Sequence, residues 1–137
     1  VEATLFVTQQ AVARMRAGGD GGSVVSVSSQ MGHVGGPERI VYCTSKWALE
    51  GMTKAMALEL ARENIRINTV APTFIETELT AASLAKPEFR DWVLSSIPMG
   101  KLGGVDDVAA AVAFLASPAA AMITGTSLLV DGGWTAR

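Results

Sequence analysis

Three short runs rich in β-branched or aliphatic residues, at 24–27, 65–70 and 128–130, alternate with stretches whose apolar residues fall at helical spacing. The order is helix, strand, helix, strand, helix, strand. That alternation predicts an α/β architecture, half of a doubly wound parallel sheet. Residues 2–16 lack glycine and proline and read as a helix stopped at Gly18 and Gly19. Residues 42–62 form the longest helical stretch. Leu49, Met52, Met56 and Leu60 recur along it, alanines fill much of the remainder, and Glu50 and Lys54 read as an outward-facing pair. A helix so apolar on more than one side needs two surfaces to bury against, the sheet and another subunit. The run 65–70 closes at Pro72, and a further helix over Val105–Ala116 stops before Pro118.

Composition narrows the classes of partner. Of the 137 residues 49% are hydrophobic and 18% charged, which suits a buried, sheet-centred domain and not a disordered one. A net charge of -2 provides no basic field for nucleic acid, so that partner class is excluded. The longest apolar run, residues 108–116, is half a membrane span at most. Cys43 is the single cysteine, which rules out an intrachain disulfide and fits a reducing, cytoplasmic compartment. No cluster of metal-ligating residue types is visible.

Tyr42 and Lys46 stand four residues apart at the start of the longest helix, and Ser29 precedes the tyrosine by thirteen residues at the end of an apolar run. A four-residue step places the ammonium and the phenol on one helical face, where the cation favours the phenolate. A tyrosine so placed is a usable general acid or base for an alcohol or carbonyl. Ser28 competes with Ser29 for this site, and strand alternation sends the two side chains to opposite faces.

The Ser29, Tyr42-x-x-x-Lys46 constellation, the stretch from Asn68 to Thr77 and the closing segment from Thr124 to Trp134 occur in an order that resembles the C-terminal half of the short-chain dehydrogenase/reductase family, including its 3-oxoacyl-ACP reductase and glucose 1-dehydrogenase-like members. The resemblance implies a Rossmann-like fold and an NAD- or NADP-dependent oxidoreductase acting on a small-molecule carbonyl or secondary alcohol. In that reading Tyr42 exchanges a proton with the substrate oxygen, Ser29 hydrogen-bonds the same oxygen, and Lys46 assists Tyr42 and binds the nicotinamide ribose. Ile75 and Thr77 match the positions that meet the carboxamide, and Pro72 fixes the bend that brings them there. Gln30, Met31, His33, Phe74, Leu79 and Trp92 are candidates to face substrate, and residues 77–102 resemble the family's mobile covering segment.

Two features depart from the family pattern. Thr73 stands where glycine is usual, so either the loop differs or Thr73 forms part of the pocket. The glycine-rich turn that holds a pyrophosphate after a first strand is absent, since Gly18–Gly22 follows a helix and precedes a strand. The expectation is therefore the C-terminal half of a longer enzyme, with the nucleotide-binding half elsewhere. The resemblance further implies a homodimer or homotetramer. Competing readings are a non-catalytic assembly half and a non-redox lyase or epimerase on the same scaffold. Relatives that eliminate halide carry arginine at the lysine position, and Lys46 argues against them.

Overall fold

The computed structural model describes residues 1–136. Strand β2, Ile65–Pro72, is central, and every residue in it except Arg66 is buried. Ile65, Ile67 and Val70 supply β-branched apolar side chains to the two faces, while Asn68 and Thr69 are buried with hydrogen-bond partners. On one side β2 pairs with β1, Gly22–Val27, and on the other with β3, Ser127–Val130. Both pairings are parallel, in the order β1-β2-β3, with Gly22 opposite Ile65 and Thr69 opposite Ser127.

Alternation along β2 divides the core. Ile65 and Ile67 face helices α1, Glu2–Gly18, and α2, Ile40–Leu60, where they pack with Val12, Ala57 and Leu60. Val70 faces the opposite side and packs with Leu115 and Ala120 under helix α5, Val105–Ala116. Helices thus cover both faces of the parallel sheet, as a doubly wound fold requires. Burying each of these large aliphatic side chains contributes about 1.5–3 kcal/mol. A third cluster of Leu84, Val93 and Ile97 joins α3, Glu78–Leu84, to α4, Pro87–Ser96. These two helices occupy much of the segment expected to cover the substrate.

Polar residues of β2 tie the layers together. Arg66 donates to the carbonyls of Leu115 and Ser117 at 2.7 and 3.2 Å, placing a cation at the carbonyl end of α5. The Asn68 amide donates to the Ile123 carbonyl at 2.9 Å and accepts from the Thr126 N–H at 3.1 Å, so it secures the loop that enters β3. Gly21, at φ 75°, holds the turn into β1, where a side chain would collide with the backbone of Asn64.

One expectation is overturned. Glu50 does not form an outward pair with Lys54; it is buried, and both of its carboxylate oxygens accept from the Thr69 hydroxyl, at 3.2 and 2.9 Å. It shares the sheet-facing stripe of α2 with Leu49, Thr53, Ala57 and Leu60. Lys54 instead reaches the Gly125 carbonyl at 3.3 Å. The boundaries of α2 also shift, since the helix begins at Ile40 and its last expected turn, Ala61–Glu63, is a 3-10 turn ended by Asn64 in the left-handed region.

Candidate active site

Strand β1 ends at Val27, and the chain turns there toward α2. Ser29 is the N-cap of a 3-10 turn over Gln30–Gly32, and its hydroxyl accepts from the Met31 N–H at 3.2 Å. The same hydroxyl donates to Gln30 Oε1 at 3.1 Å. Ser29 is buried with a fixed orientation, and a ligand oxygen that takes its proton must compete with Gln30. Ser28 Oγ is buried without a hydrogen-bond partner and lies against Gly32 on the α2 side.

Tyr42 sits in the first turn of α2 and is 43% exposed, an orientation that leaves the phenol available to a ligand. Lys46 follows one turn later. Its ammonium donates to the Val27 carbonyl at 3.1 Å and lies 5.7 Å from the centre of the Tyr42 ring. The lysine is therefore tethered between the end of β1 and the tyrosine.

Ser29 and Tyr42 line one cavity of about 350 Å³, together with Gln30, Met31, Thr73, Phe74 and Leu79. Trp92 lines an adjoining cavity of about 230 Å³ that also includes Met31 and Phe74. Five of the six candidate substrate-facing residues thus gather around the Ser29–Tyr42 cavity and its extension. His33 does not join them. Its Nε2 hydrogen-bonds Ser127 Oγ at 2.8 Å and lies 3.7 Å from Glu50, at the sheet end of α2.

The loop after β2 is organised by Thr80, whose hydroxyl donates to the Ile75 carbonyl at 2.6 Å and whose backbone and side chain cap Thr77 reciprocally. Ile75 forms a parallel bridge to Gly103, in which the Glu76 N–H donates to the Gly103 carbonyl and the Gly103 N–H donates to the Phe74 carbonyl. The Ile75 N–H takes no part in these bonds and is left as a donor. Pro72 ends β2, and the following Thr73 N–H donates to the Val130 carbonyl at 3.1 Å. Thr73 has an ordinary negative φ, and it lines the cavity with Oγ1 buried and unpartnered. Of the two outcomes expected for a side chain here, Thr73 forms part of the pocket.

Phe89, which lines the cavity, and Trp134 carry no sequence signal of their own, and they join two expected residues, Phe74 and Trp92. Phe74, Phe89, Trp92 and Trp134 form a ring cluster with centroid separations of 5.4–6.3 Å, drawn from the loop after β2, from α4 and from the C-terminal turn. Asp131 seats Trp134. Partial burial raises its carboxyl pKa, but hydrogen bonds from the Thr135 hydroxyl and from the Thr135 and Gly133 N–H groups outweigh this and hold it below the usual value. Arg39, immediately before α2, also lines the cavity.

A donor hydroxyl, a phenol and a tethered ammonium around an apolar cavity can polarise an oxygen and exchange a proton with it. Comparison with known proteins bears on that chemistry. The family model described as enoyl-(acyl carrier protein) reductase matches residues 1–135. The chain is similar to the D-erythrulose reductase of Gallus gallus, 41% identical over 132 residues, covering 96% of this chain and 54% of that protein. Among solved structures it superposes on 4-hydroxyisoleucine dehydrogenase complexed with NADH, at TM-score 0.96 and 33% identity, covering 100% of this chain and 56% of that one. It also superposes on a gluconate 5-dehydrogenase from Burkholderia cenocepacia bound to NADP, at TM-score 0.87 and 38% identity, over 93% and 50% of the two chains. A short-chain type dehydrogenase/reductase from Mycobacterium ulcerans matches at TM-score 0.96 and 34% identity, over 100% and 50%. The chain spans about half the length of the curated relatives it matches.

Proposed function

The chain belongs to the short-chain dehydrogenase/reductase family, and we propose that it supplies the acid-base and substrate-binding half of an NAD- or NADP-dependent oxidoreductase that interconverts a carbonyl and a secondary alcohol. The observation that carries this reading is the convergence of Ser29 and Tyr42 on one cavity, with Lys46 held beside the tyrosine by the Val27 carbonyl.

In the reductive direction Ser29 donates a hydrogen bond to the carbonyl oxygen, releasing Gln30 Oε1 as it does so. Tyr42 gives its proton to that oxygen as negative charge develops there. The Lys46 ammonium, one helical turn away, stabilises the charge left on the phenol oxygen. The apolar wall formed by Met31 and Phe74 limits water at the reacting carbon. The dinucleotide, when bound, supplies or accepts the hydride.

The residues present fit the nicotinamide end of such a group. The Ile75 N–H is an uncommitted donor, the Thr73 hydroxyl is buried without a partner, and Thr77 and Pro72 fix the loop between them. We assign the carboxamide to Ile75 and Thr77, and the ribose to Tyr42 and Lys46. Residues holding the pyrophosphate are not expected in this stretch of sequence.

We further propose that the protein is a cytoplasmic homodimer or homotetramer. The single cysteine fits a reducing compartment. Exposed Phe6 and Val7 on α1 and Trp47 and Leu58 on α2 are the apolar surfaces that association would cover. Small-angle scattering of the complete protein tests this, and a monomer at micromolar concentration would reject it. Among the described residues no helix is long and apolar enough to cross a membrane.

The function is tested on the full-length protein by following NADH and NADPH absorbance with a panel of small ketones and secondary alcohols. Turnover with either dinucleotide that disappears in Tyr42→Phe supports the assignment. Turnover retained in that variant rejects it.

A further inference from the structure

Among the described residues that line the Ser29–Tyr42 cavity, Arg39 alone carries a formal charge. Arg39 is the N-cap residue of α2, with non-helical backbone, and Tyr42 stands in the first turn of that helix, so both reach the cavity from the same end of α2. The Arg39 guanidinium takes part in none of the hydrogen bonds or ion pairs among the described residues. Arg39 also lines the outer cavity beside Trp92, where Glu38 is the neighbouring charge, whereas Glu38 does not line the cavity that holds Tyr42. The remaining wall is made of neutral polar and apolar groups, so among the described residues the exposed Arg39 guanidinium is the one charge lining a cavity of about 350 Å³, the size of a small metabolite.

The backbone supports this placement. Glu38 adopts φ 58°, a left-handed conformation uncommon outside glycine, directly after Gly35, Gly36 and Pro37. The Arg39 stem lies along that loop, where a side-chain carbon at Gly36 would come within 3.5 Å of Arg39 Cγ. Past that turn, Arg39 lines both the Ser29–Tyr42 cavity and its extension.

We infer that the substrate carries an oxyanion group, a carboxylate or a phosphate, which Arg39 binds while Ser29 and Tyr42 engage the carbonyl or hydroxyl a few bonds away. This rests on the oxidoreductase reading and names the class of substrate within it. Guanidinium offers a planar pair of N–H donors that match a carboxylate or phosphate edge, and lysine at that position would reproduce the charge but not the fork.

The test uses the full-length protein and matched probes: 3-oxobutanoate against its ethyl ester, and dihydroxyacetone phosphate against dihydroxyacetone. A carboxylate substrate predicts that the acid exceeds its ester in kcat/KM. A phosphate substrate predicts the larger ratio for the second pair. Arg39→Gln should lower kcat/KM for the preferred anion roughly tenfold to a hundredfold, mainly through KM, and change the neutral partner by less than about twofold. Arg39→Lys should restore part of the loss. Equal losses on charged and neutral probes, or no loss on the anion, would overturn the inference.

Calorimetric titration of both anions onto the Tyr42→Phe protein separates this proposal from the oxidoreductase assignment. Binding there that vanishes on adding Arg39→Gln supports the anion site even where turnover is absent. Reduction of neutral ketones with no binding of either anion leaves the oxidoreductase in place and removes the anion site.

Discussion

The two ends of α2 do different work. Over its last three turns the helix buries Leu49, Glu50, Thr53, Ala57 and Leu60 against the sheet, while over its first two it leaves Ile40 and Val41 more than 80% exposed and Tyr42 partly so. The buried end supplies packing energy, and the exposed end offers a phenol and an ammonium to a ligand at little cost to the core. A rigid helix anchored far from its reactive residues holds them in place without enclosing them. The difference teaches that stability and chemistry can be perturbed separately along one continuous element.

The largest effect should come from the exposed end. Tyr42→Phe in the full-length protein is expected to lower kcat by about 10²–10⁴-fold while leaving the thermal midpoint within the error of the measurement, because the ring remains and only the hydroxyl is lost. A large fall in the midpoint would break the proposed separation. The converse experiment removes a contact at the buried end. Leu60→Ala should cost about 2–5 kcal/mol in denaturant unfolding, with KM of the folded enzyme unchanged.

Thr69→Val sharpens the comparison, because it leaves the buried Glu50 carboxylate without the hydroxyl that both oxygens use. A loss of about 1–3 kcal/mol is expected, read by the same unfolding assay. Asp131 gives the pH-dependent case. Its folded pKa lies below the ordinary 3.8, so its contribution is complete above that value and is lost as the pH falls through the lower folded value. Unfolding midpoints taken from pH 6 down to pH 2 should show an acid limb that Asp131→Asn makes shallower. The smallest effect belongs to the exposed pair of Arg16 and Glu63, 2.6 Å apart, where Glu63→Gln should leave the midpoint unchanged within error.

What could be read in advance follows the physics of each residue. The strand at 65–70 is legible because it is short and rich in β-branched residues and Pro72 closes it, and Tyr42 with Lys46 because their spacing is local to one helix. The same local spacing misleads at Glu50. Its four-residue step to Lys54 has the form of a surface pair, and Thr69, brought beside it by the packing of α2 on β2, with His33 Nε2 3.7 Å away, supplies the polar surroundings that burial needs. Arg39 carried no pattern at all, as a single arginine in a glycine- and proline-rich loop becomes informative only when the cavity it faces is known. Phe74, Phe89 and Trp134 stand far apart in sequence, and their meeting depends on how α4 and the C-terminal turn pack. Nearness to Ser29 along the chain points His33 at the substrate, yet the turn after Ser29 sends it toward Ser127.

The parallel register has a consequence for how this protein reaches its folded state. Gly22 meets Ile65 and Thr69 meets Ser127, so neither ladder can be started by a local hairpin, and each must wait until an intervening helix has formed and docked. Until then the edges of β1 and β2 stand open, and folding is slowed because the closure entropy of the intervening chain is paid before the ladders form. Refolding from denaturant should therefore favour dilute solution, since at high concentration the strand that reaches an open edge first can belong to another molecule.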